Sequence, residues 1–347
     1  MKKLYIDIRF AKCILALTAG WLMAGCSAED ELGNNSSAQQ LNMIPMVNDL
    51  QKSRANDEDA LHEKTLSKLD FKMFEPEFGK CCVNHQSSSP AENQAEVLGK
   101  NNWKVDLNLQ EDHSYNYYAV ANAQADLSKK TLEELQAATQ QDNDIWQPYP
   151  QAKDKKFLMS AKGQYIISKD PIQDIPVELV RAAAKIKLNL SSSVNGYNIT
   201  NVKWKFLNYN TNTSVFAGQT AKPNIESNNE DNTVDKIEAN KCSVTTYSYS
   251  TTWTSQEDAP KIAVKVVFQS KDNKNDTREK ELTIPVRDPK GEKKLERNYI
   301  YTVNADIKRL KDDINIDYDE ELGYLKWAIT KWTTGEDTEV DADKASY

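Results

Sequence analysis

The strongest constraint on the fold is an alternation of apolar and polar residues that recurs along most of the chain. It is plain where Leu69, Phe71 and Met73 alternate with charged residues. Successive side chains of a β-strand point to opposite faces, so this period of two predicts a strand with one buried face. The same period, or a short aromatic and β-branched run, recurs in segments 103–109, 115–121, 202–206, 262–268, 281–286, 299–307 and 325–329.

A longer extended segment is expected from Val177 to Leu190. Within it Ile186 and Leu188 are predicted on one face of a strand, and Lys185 and Lys187 on the other. One helix interrupts the strands. Its start is marked by a capping box at 131–134, in which a threonine and a glutamate close the first turn. Apolar residues then follow at a helical spacing as far as 138, and the helix is expected to end within 140–144.

Strands at this density, separated by turn signals, predict a mainly β fold with two β-sandwich domains in tandem. The length of 347 residues suits two domains better than one. Three serines and an Asn-Gly pair at 191–196 mark the expected hinge. The expected N-terminal domain therefore covers 55–192 and carries the short helix, and the C-terminal domain covers 193–347.

The charge balance argues against a nucleic-acid partner. The chain has 44 Lys and Arg against 52 Asp and Glu, a formal net charge of -8. A nucleic-acid-binding protein normally needs a basic face to neutralise phosphates. The hydrophobic fraction of 39% is also too high for a wholly disordered chain.

The N-terminus has the pattern of an export signal. A basic segment is followed by an apolar run from Cys13 to Ala24, which is short for a membrane span. The run ends in Leu-Met-Ala-Gly-Cys at 22–26, which resembles the lipobox of bacterial lipoproteins. That resemblance implies cleavage between Gly25 and Cys26, a diacylglycerol on the Cys26 thiol, and residues 1–25 as signal peptide. The alternative, a buried hydrophobic helix, lacks any amphipathic period.

A polar, acidic tether follows Cys26 and leads into one short apolar stretch. In this stretch Leu41, Met43 and Val47 alternate with other residues, which predicts one buried strand. Residues 48–59 are polar and charged again and include Arg54. Exposed polar linkers of this kind are where proteolytic nicking concentrates.

Candidate catalytic and metal-binding groups are few. Cys81, Cys82 and His85 lie together, but adjacent cysteines chelate one ion poorly and no second pair lies at a ligand spacing. In an oxidising compartment the favoured interpretation is a disulfide from one cysteine of this pair to Cys242, which leaves one thiol unpaired, and free thiols are the alternative. His62 and His113 lie in polar surroundings. The chain contains no serine-hydrolase elbow or nucleotide-binding loop, so no enzyme, cofactor or metal is expected.

An acidic run near the C-terminus has the carboxylate oxygens that a calcium site needs. It lacks the glycine-turn spacing of an EF-hand, so a solvated loop is favoured. The residues are Asp312, Asp313, Asp317, Asp319, Glu320 and Glu321.

Six segments, in this order, resemble the motifs of a known family: YNYYAVANA at 115–123, TLEEL at 131–135, FLMS at 157–160, VELVRAAAKI at 177–186, RNYIYTV at 297–303 and LKWAITKW at 325–332. The family is the fimbrillins, the lipoprotein-precursor subunits of type V fimbriae, and the resemblance is closest to the minor-fimbrium (Mfa-type) subunits. It implies two transthyretin-like β-sandwich domains and a structural, non-enzymatic role in a cell-surface fimbrium, with support for adhesion.

The resemblance also implies a route of assembly. An arginine-specific or trypsin-like protease would cut between Arg54 and Ala55 and so remove segment 26–54, including the strand of Leu41, Met43 and Val47. A donor strand within 324–340 of the next subunit would fill the resulting groove. The groove-filling side chains would be Leu325, Trp327 and Ile329. The implied partners are other fimbrial subunits, the outer membrane through the lipid, and a host or bacterial surface ligand.

Alternatives remain at three points. Arg54 is also compatible with an ordinary exposed basic residue. Segment 325–329 is also compatible with a strand that fills the core of its own domain, because periodicity does not say which molecule it packs on. The whole chain is also compatible with a fimbrial anchor or accessory lipoprotein, or with a surface glycan-binding lipoprotein that uses exposed Trp and Tyr.

Overall fold

The structure, a computed structural model, describes residues 39–47, 63, 65–88, 103–107, 109–148, 156–170, 172–219, 221–287, 292–310, 322–331 and 337–339. Within them the chain is mainly β, as predicted. The strands are β1 (Gln39–Val47), β2 (Lys68–Phe74), β3 (Cys81–Ser88), β4 (Trp103–Leu107), β5 (Ser114–Ala121), β6 (Thr139–Gln141), β7 (Met159–Ile166), β8 (Ile172–Arg181), β9 (Ala183–Ser192), β10 (Tyr197–Leu207), β11 (Tyr209–Asn210), β12 (Asn212–Ser214), β13 (Ile225–Glu226), β14 (Asn232–Thr233), β15 (Lys241–Tyr249), β16 (Thr251–Thr252), β17 (Lys261–Ser270), β18 (Thr277–Pro285), β19 (Lys294–Leu295), β20 (Tyr299–Ile307), β21 (Leu322–Lys331) and β22 (Asp337–Glu339). The helices are α1 (Leu132–Gln136) and a 3-10 turn (Gln256–Asp258).

The N-terminal half forms a seven-stranded sheet in the order β3-β2-β5-β7-β8-β1-β4. Strands β2, β5 and β7 are antiparallel neighbours over most of their lengths. β8 joins β7 at two register positions, where Met159 faces Arg181 and Ser160 faces Val180. Beyond them β8 leaves β7 and pairs with β1, so it connects the two parts of the sheet.

The C-terminal half forms a five-stranded sheet, β15-β9-β20-β21-β22, and a four-stranded sheet, β14-β10-β17-β18. The predicted alternation is confirmed here. On β17, for example, Ile262, Val264, Val266 and Phe268 are buried and the residues between them are less so. One face of each such strand supplies the hydrophobic core.

The change from one sheet to the next falls at Ala182. The segment expected as one extended stretch bends there, and β9 pairs with β15 and β20 of the C-terminal half. The predicted boundary at 192 and 193 stays a prediction, and the sheet pairing changes before it. A two-stranded sheet of β6 and β12 links the halves, with Thr139 facing Ser214.

The capping box of α1 is confirmed. The backbone N–H of Glu134 donates to Thr131 Oγ1 at 3.3 Å, and the N–H of Thr131 donates to Glu134 Oε2 at 2.9 Å. The predicted end within 140–144 was wrong, because α1 ends at Gln136. Residues 139–141 instead pair with β12, and the N–H of Val215 donates to Ala138 O at 2.9 Å. Pairing with a distant strand therefore ends the helix early. Among the described residues no helix is long and apolar enough to cross a membrane.

Candidate functional site at strand β1

The strand predicted to be removable lies inside the N-terminal sheet. β1 pairs in parallel with β8 from Gln40 to Val47, and antiparallel with β4 from Gln39 to Met43. It therefore has a neighbour on both sides along its first half. A strand near the start of the chain thus occupies an interior slot of a sheet that is otherwise built from later residues.

The face of β1 that meets the core is apolar. Leu41 and Met43 are 0% exposed and Val47 is 8% exposed, which confirms the predicted buried strand. Paired residues share one face of a sheet. The β8 residues opposite Met43, Pro45 and Val47 are also buried: Ile175, Val177 and Leu179. The slot is thus lined by apolar residues that specify the register of whichever strand fills it.

Two prolines lie at adjacent register positions of β1 and β8. Pro45 faces Val177, and Ile44 faces Pro176. Proline has no N–H to donate to a neighbouring strand and is normally confined to sheet edges. β4 accompanies β1 only as far as Met43, so in the described part of the chain Pro45 lies where one side of β1 has no neighbouring strand.

β8 depends on β1 for most of its pairing. Residues 172–179 of β8 face β1, whereas β7 reaches only Val180 and Arg181. If β1 left, β8 would present a long open edge above a row of buried apolar side chains. Such an edge is a template for another strand.

The strand predicted to be the donor pairs with its own chain. β21 is antiparallel to β20, and Leu325, Trp327 and Ile329 face Ala305, Val303 and Tyr301 in the register. These three β20 residues are buried. β22 then pairs back onto β21. The observed arrangement is the alternative left open by the sequence, a strand on its own domain, and the donor role stays a prediction.

Several predicted site residues lie outside the described residues. They are Gly25, Cys26, Arg54, Ala55, His62 and the acidic run 312–321. Lipidation at Cys26 and cleavage after Arg54 therefore stay predictions.

The expected disulfide is wrong. Cys81, Cys82 and Cys242 are all free thiols. Cys81 is exposed at the start of the edge strand β3, whereas Cys242 is buried on β15 opposite Leu190. Burial raises the pKa of the Cys242 thiol to about 11. Among the described residues no group of three His, Cys, Asp or Glu side chains is placed to hold a metal ion.

Sequence reasoning missed a buried ionic cluster at the end of β8. Lys185 Nζ lies 3.0 Å from Oε1 and 3.1 Å from Oε2 of Glu63. The Tyr247 hydroxyl donates to the same carboxylate, and Arg181 Nε donates to the backbone carbonyl of Glu63 at 2.8 Å. Lys185 is only 4% exposed, because the segment that carries Glu63 covers its face of β9. The signal that could have found it is the charged pair Arg181 and Lys185 within an apolar run.

Comparison with known proteins assigns the fold. No family model and no curated protein matches this chain significantly. Solved structures do match over most of its length. A candidate cell adhesion protein from Parabacteroides distasonis is 15% identical with a TM-score of 0.58, over 86% of this chain and 98% of that one.

Two fimbrial proteins of Porphyromonas gingivalis match similarly. The tip fimbrial protein Mfa3, solved with a C-terminal truncation, is 16% identical with a TM-score of 0.54, over 85% of this chain and 99% of that one. The fimbrilin FimA is 13% identical with a TM-score of 0.54, over 85% of this chain and 98% of that one. The chain thus has the fold of fimbrial proteins, and the resemblance noted in its motifs is confirmed at the level of the fold.

Proposed function

We propose that this chain is a structural, non-enzymatic subunit of a cell-surface fimbria, a fimbrillin, that polymerises by donor-strand exchange. It would be exported as a lipoprotein through Cys26 and trimmed between Arg54 and Ala55. The proposal rests on the position of β1 in the sheet and in the sequence. This strand fills an interior apolar slot, yet it precedes Arg54 in the sequence, so one cut separates it from the rest of the sheet.

Proteolysis is needed because β1 belongs to the same chain as its slot. A tethered strand rebinds at a high effective concentration, so a competing strand from another molecule loses. A cut after Arg54 makes β1 a separate fragment that can diffuse away. Each fully buried apolar side chain contributes about 1.5–3 kcal/mol, so an empty slot is costly and favours capture of a replacement.

Segment 322–331 has the features that the replacement requires. Leu325, Trp327 and Ile329 alternate at the same period as the buried residues of β1. β21 has 10 residues, and β1 has 9. To act as a donor, β21 would leave β20 of its own chain and enter the slot on β8 of the next subunit. Such head-to-tail addition does not close on itself, so it produces a filament.

The test is to treat the purified full-length precursor with an arginine-specific protease and follow its oligomers. Discrete loss of residues up to 54, read by N-terminal sequencing, should precede a ladder of polymers on non-boiled gels. Arg54→Gln should block both events, whereas the matched control Lys52→Gln should leave both intact. A precursor that polymerises equally well with Arg54→Gln would refute the proposed maturation.

A fimbrial anchor or accessory subunit is the second candidate. The pairing of β21 with β20 favours it, because a subunit that never donates a strand would keep this arrangement. Such a protein would remain uncut near Arg54 on the cell surface. A surface glycan-binding lipoprotein is separated from both by its behaviour in solution, since it would stay monomeric and bind polysaccharide.

A further inference from the structure

We infer that Glu63 is a positioning residue for the acceptor slot: it holds the end of β8 in place while the slot is empty. The inference rests on the proposed function, because only strand exchange leaves the slot empty. Glu63 follows the Arg54–Ala55 bond in the sequence and therefore stays with the trimmed chain. It is 0% exposed.

Glu63 links three strands from both halves of the chain. Through its backbone carbonyl it accepts a hydrogen bond from Arg181, the last residue of β8. Through its carboxylate it binds Lys185 of β9 and Tyr247 of β15. β8 is thereby tied to the five-stranded C-terminal sheet by a residue that belongs to neither.

The partners of Glu63 are themselves buried. Arg181 and Tyr247 are each 1% exposed. Buried charges are tolerated when they are paired and hydrogen-bonded, and removing one partner leaves the other uncompensated. The Tyr247 ring also packs on Phe157 just before β7, with ring centroids 4.8 Å apart. Moving Glu63 away from these partners would therefore leave buried charges unpaired, which is energetically costly.

The rest of the segment is held without any help from β1. Asn122 Nδ2 donates to Thr65 O at 2.8 Å and to Phe157 O at 2.9 Å. The N–H of Ser67 donates to Asn122 Oδ1 at 2.9 Å. All these residues follow the Arg54–Ala55 bond, so the attachments remain when β1 departs.

Arg181 places the hydrogen bond to Glu63 at the end of β8 that stays paired when the slot is empty. Once β1 is gone, the remaining ladder contacts of β8 are at Val180 and Arg181. The hydrogen bond from Arg181 to Glu63 lies at this same end. It therefore fixes the direction in which the unpaired part of β8, 172–179, leaves the sheet. Without it, β8 could pivot and close or distort the slot before a donor arrives.

Hydrogen exchange on the chain cut after Arg54, once β1 has been removed, tests this role. Tyr247→Phe removes one hydrogen bond to the Glu63 carboxylate and keeps the ring. It should speed exchange of the amides of Val180 and Arg181, which stay paired with β7, about tenfold. The amides of β17 should not change, because a general loss of stability would speed both. Tyr249→Phe, on the same strand and equally buried, is the matched control and should leave β8 unchanged.

Glu63→Gln is the stronger variant and should speed β8 exchange further. If it fails to fold, Tyr247→Phe still decides the matter. Equal β8 exchange in Tyr247→Phe and wild type, or equal acceleration across β8 and β17, would overturn the inference.

A second measurement separates this inference from the proposed function. The full chain, cut by an arginine-specific protease, is given a labelled peptide of residues 39–47, and replacement of the bound β1 fragment by this peptide is followed. Tyr247→Phe should capture the peptide about tenfold more slowly than wild type, and equal rates would overturn the role of Glu63. If nicked wild type takes up peptide 39–47 but never peptide 322–331, the donor proposal fails while the role of Glu63 stands.

Discussion

Arg297 shows how a single side chain secures the link between the halves. Its Nη2 donates to Ser214 O at 2.9 Å and lies 3.4 Å from Thr213 Oγ1, and Nη1 lies 3.4 Å from Val215 O. Burial lowers the pKa of its guanidinium to about 10, so the group is still charged at neutral pH. These contacts hold β12, which pairs with β6.

We expect Arg297→Met to lower the free energy of unfolding by about 1.5–3 kcal/mol, because the hydrogen bonds donated by a buried charged group are lost. Urea denaturation measures the change. The control is Arg278→Met, at an exposed arginine, which should have little effect. Equal effects of the two substitutions would show that Arg297 does no more than a surface charge.

The thiols should differ sharply in reactivity. Only the thiolate reacts with iodoacetamide. Because burial raises the pKa of Cys242 to about 11, that thiol stays protonated at pH 8 and is also shielded. Native protein should therefore be alkylated at exposed Cys81 well before Cys242, as read by mass spectrometry. In denaturant without reductant, Cys81, Cys82 and Cys242 should all be alkylated; resistance of any two would reveal a disulfide.

At the scale of elements, β1 should contribute strongly to precursor stability through its buried face. Met43 is fully buried, so Met43→Ala should lower the free energy of unfolding by about 2–5 kcal/mol. Ile172→Ala on the neighbouring strand is the control, since Ile172 is 59% exposed and should matter much less. The comparison is made on uncut protein by urea denaturation. A negligible effect of Met43→Ala would mean that β1 does not fill the slot in solution.

Much of the element pattern could be predicted from the sequence because alternation reports local geometry. β10 and β17 follow it, and the capping box locates the start of α1. The prediction of one buried face was wrong for β2, because Asp70 and Lys72 are each only 3% exposed and both faces of that strand are covered. The end of α1 could not be predicted, because pairing with β12 ends it and β12 is distant in sequence. The alternation correctly predicts Lys185 and Ile186 on opposite faces of β9. Its burial depends on Glu63, which no local pattern reveals.

At the scale of the whole molecule, the candidate site could be predicted in part. Periodicity identified the buried residues Leu41, Met43 and Val47. The interior position of β1 between β8 and β4 could not be predicted, because strand order depends on pairings between distant residues. The same limit applies to β21. Its alternation is equally suited to β20 of its own chain and to β8 of another.

That ambiguity leads to a prediction about polymer ends. A chain lacking residues 322–347 loses β21 and β22 but keeps the slot filled by β1 and the cluster around Glu63. It should fold and be trimmed like the full-length protein, yet form no polymer by itself, because it has an acceptor and no donor. Mixed in small amounts with full-length precursor during treatment with an arginine-specific protease, it should accept one donor strand and then stop growth, which shortens the ladder.

The measurement is the length distribution of polymers as a function of the truncated fraction. The matched control adds the same amount of truncated chain carrying Arg54→Gln, which keeps β1 tethered in its slot. This control should not shorten the ladder, because its acceptor is occupied. If both truncated chains shorten the polymers equally, the contact between subunits does not use the β1 slot. If the truncated chain forms polymers by itself, residues 322–347 are not the donor.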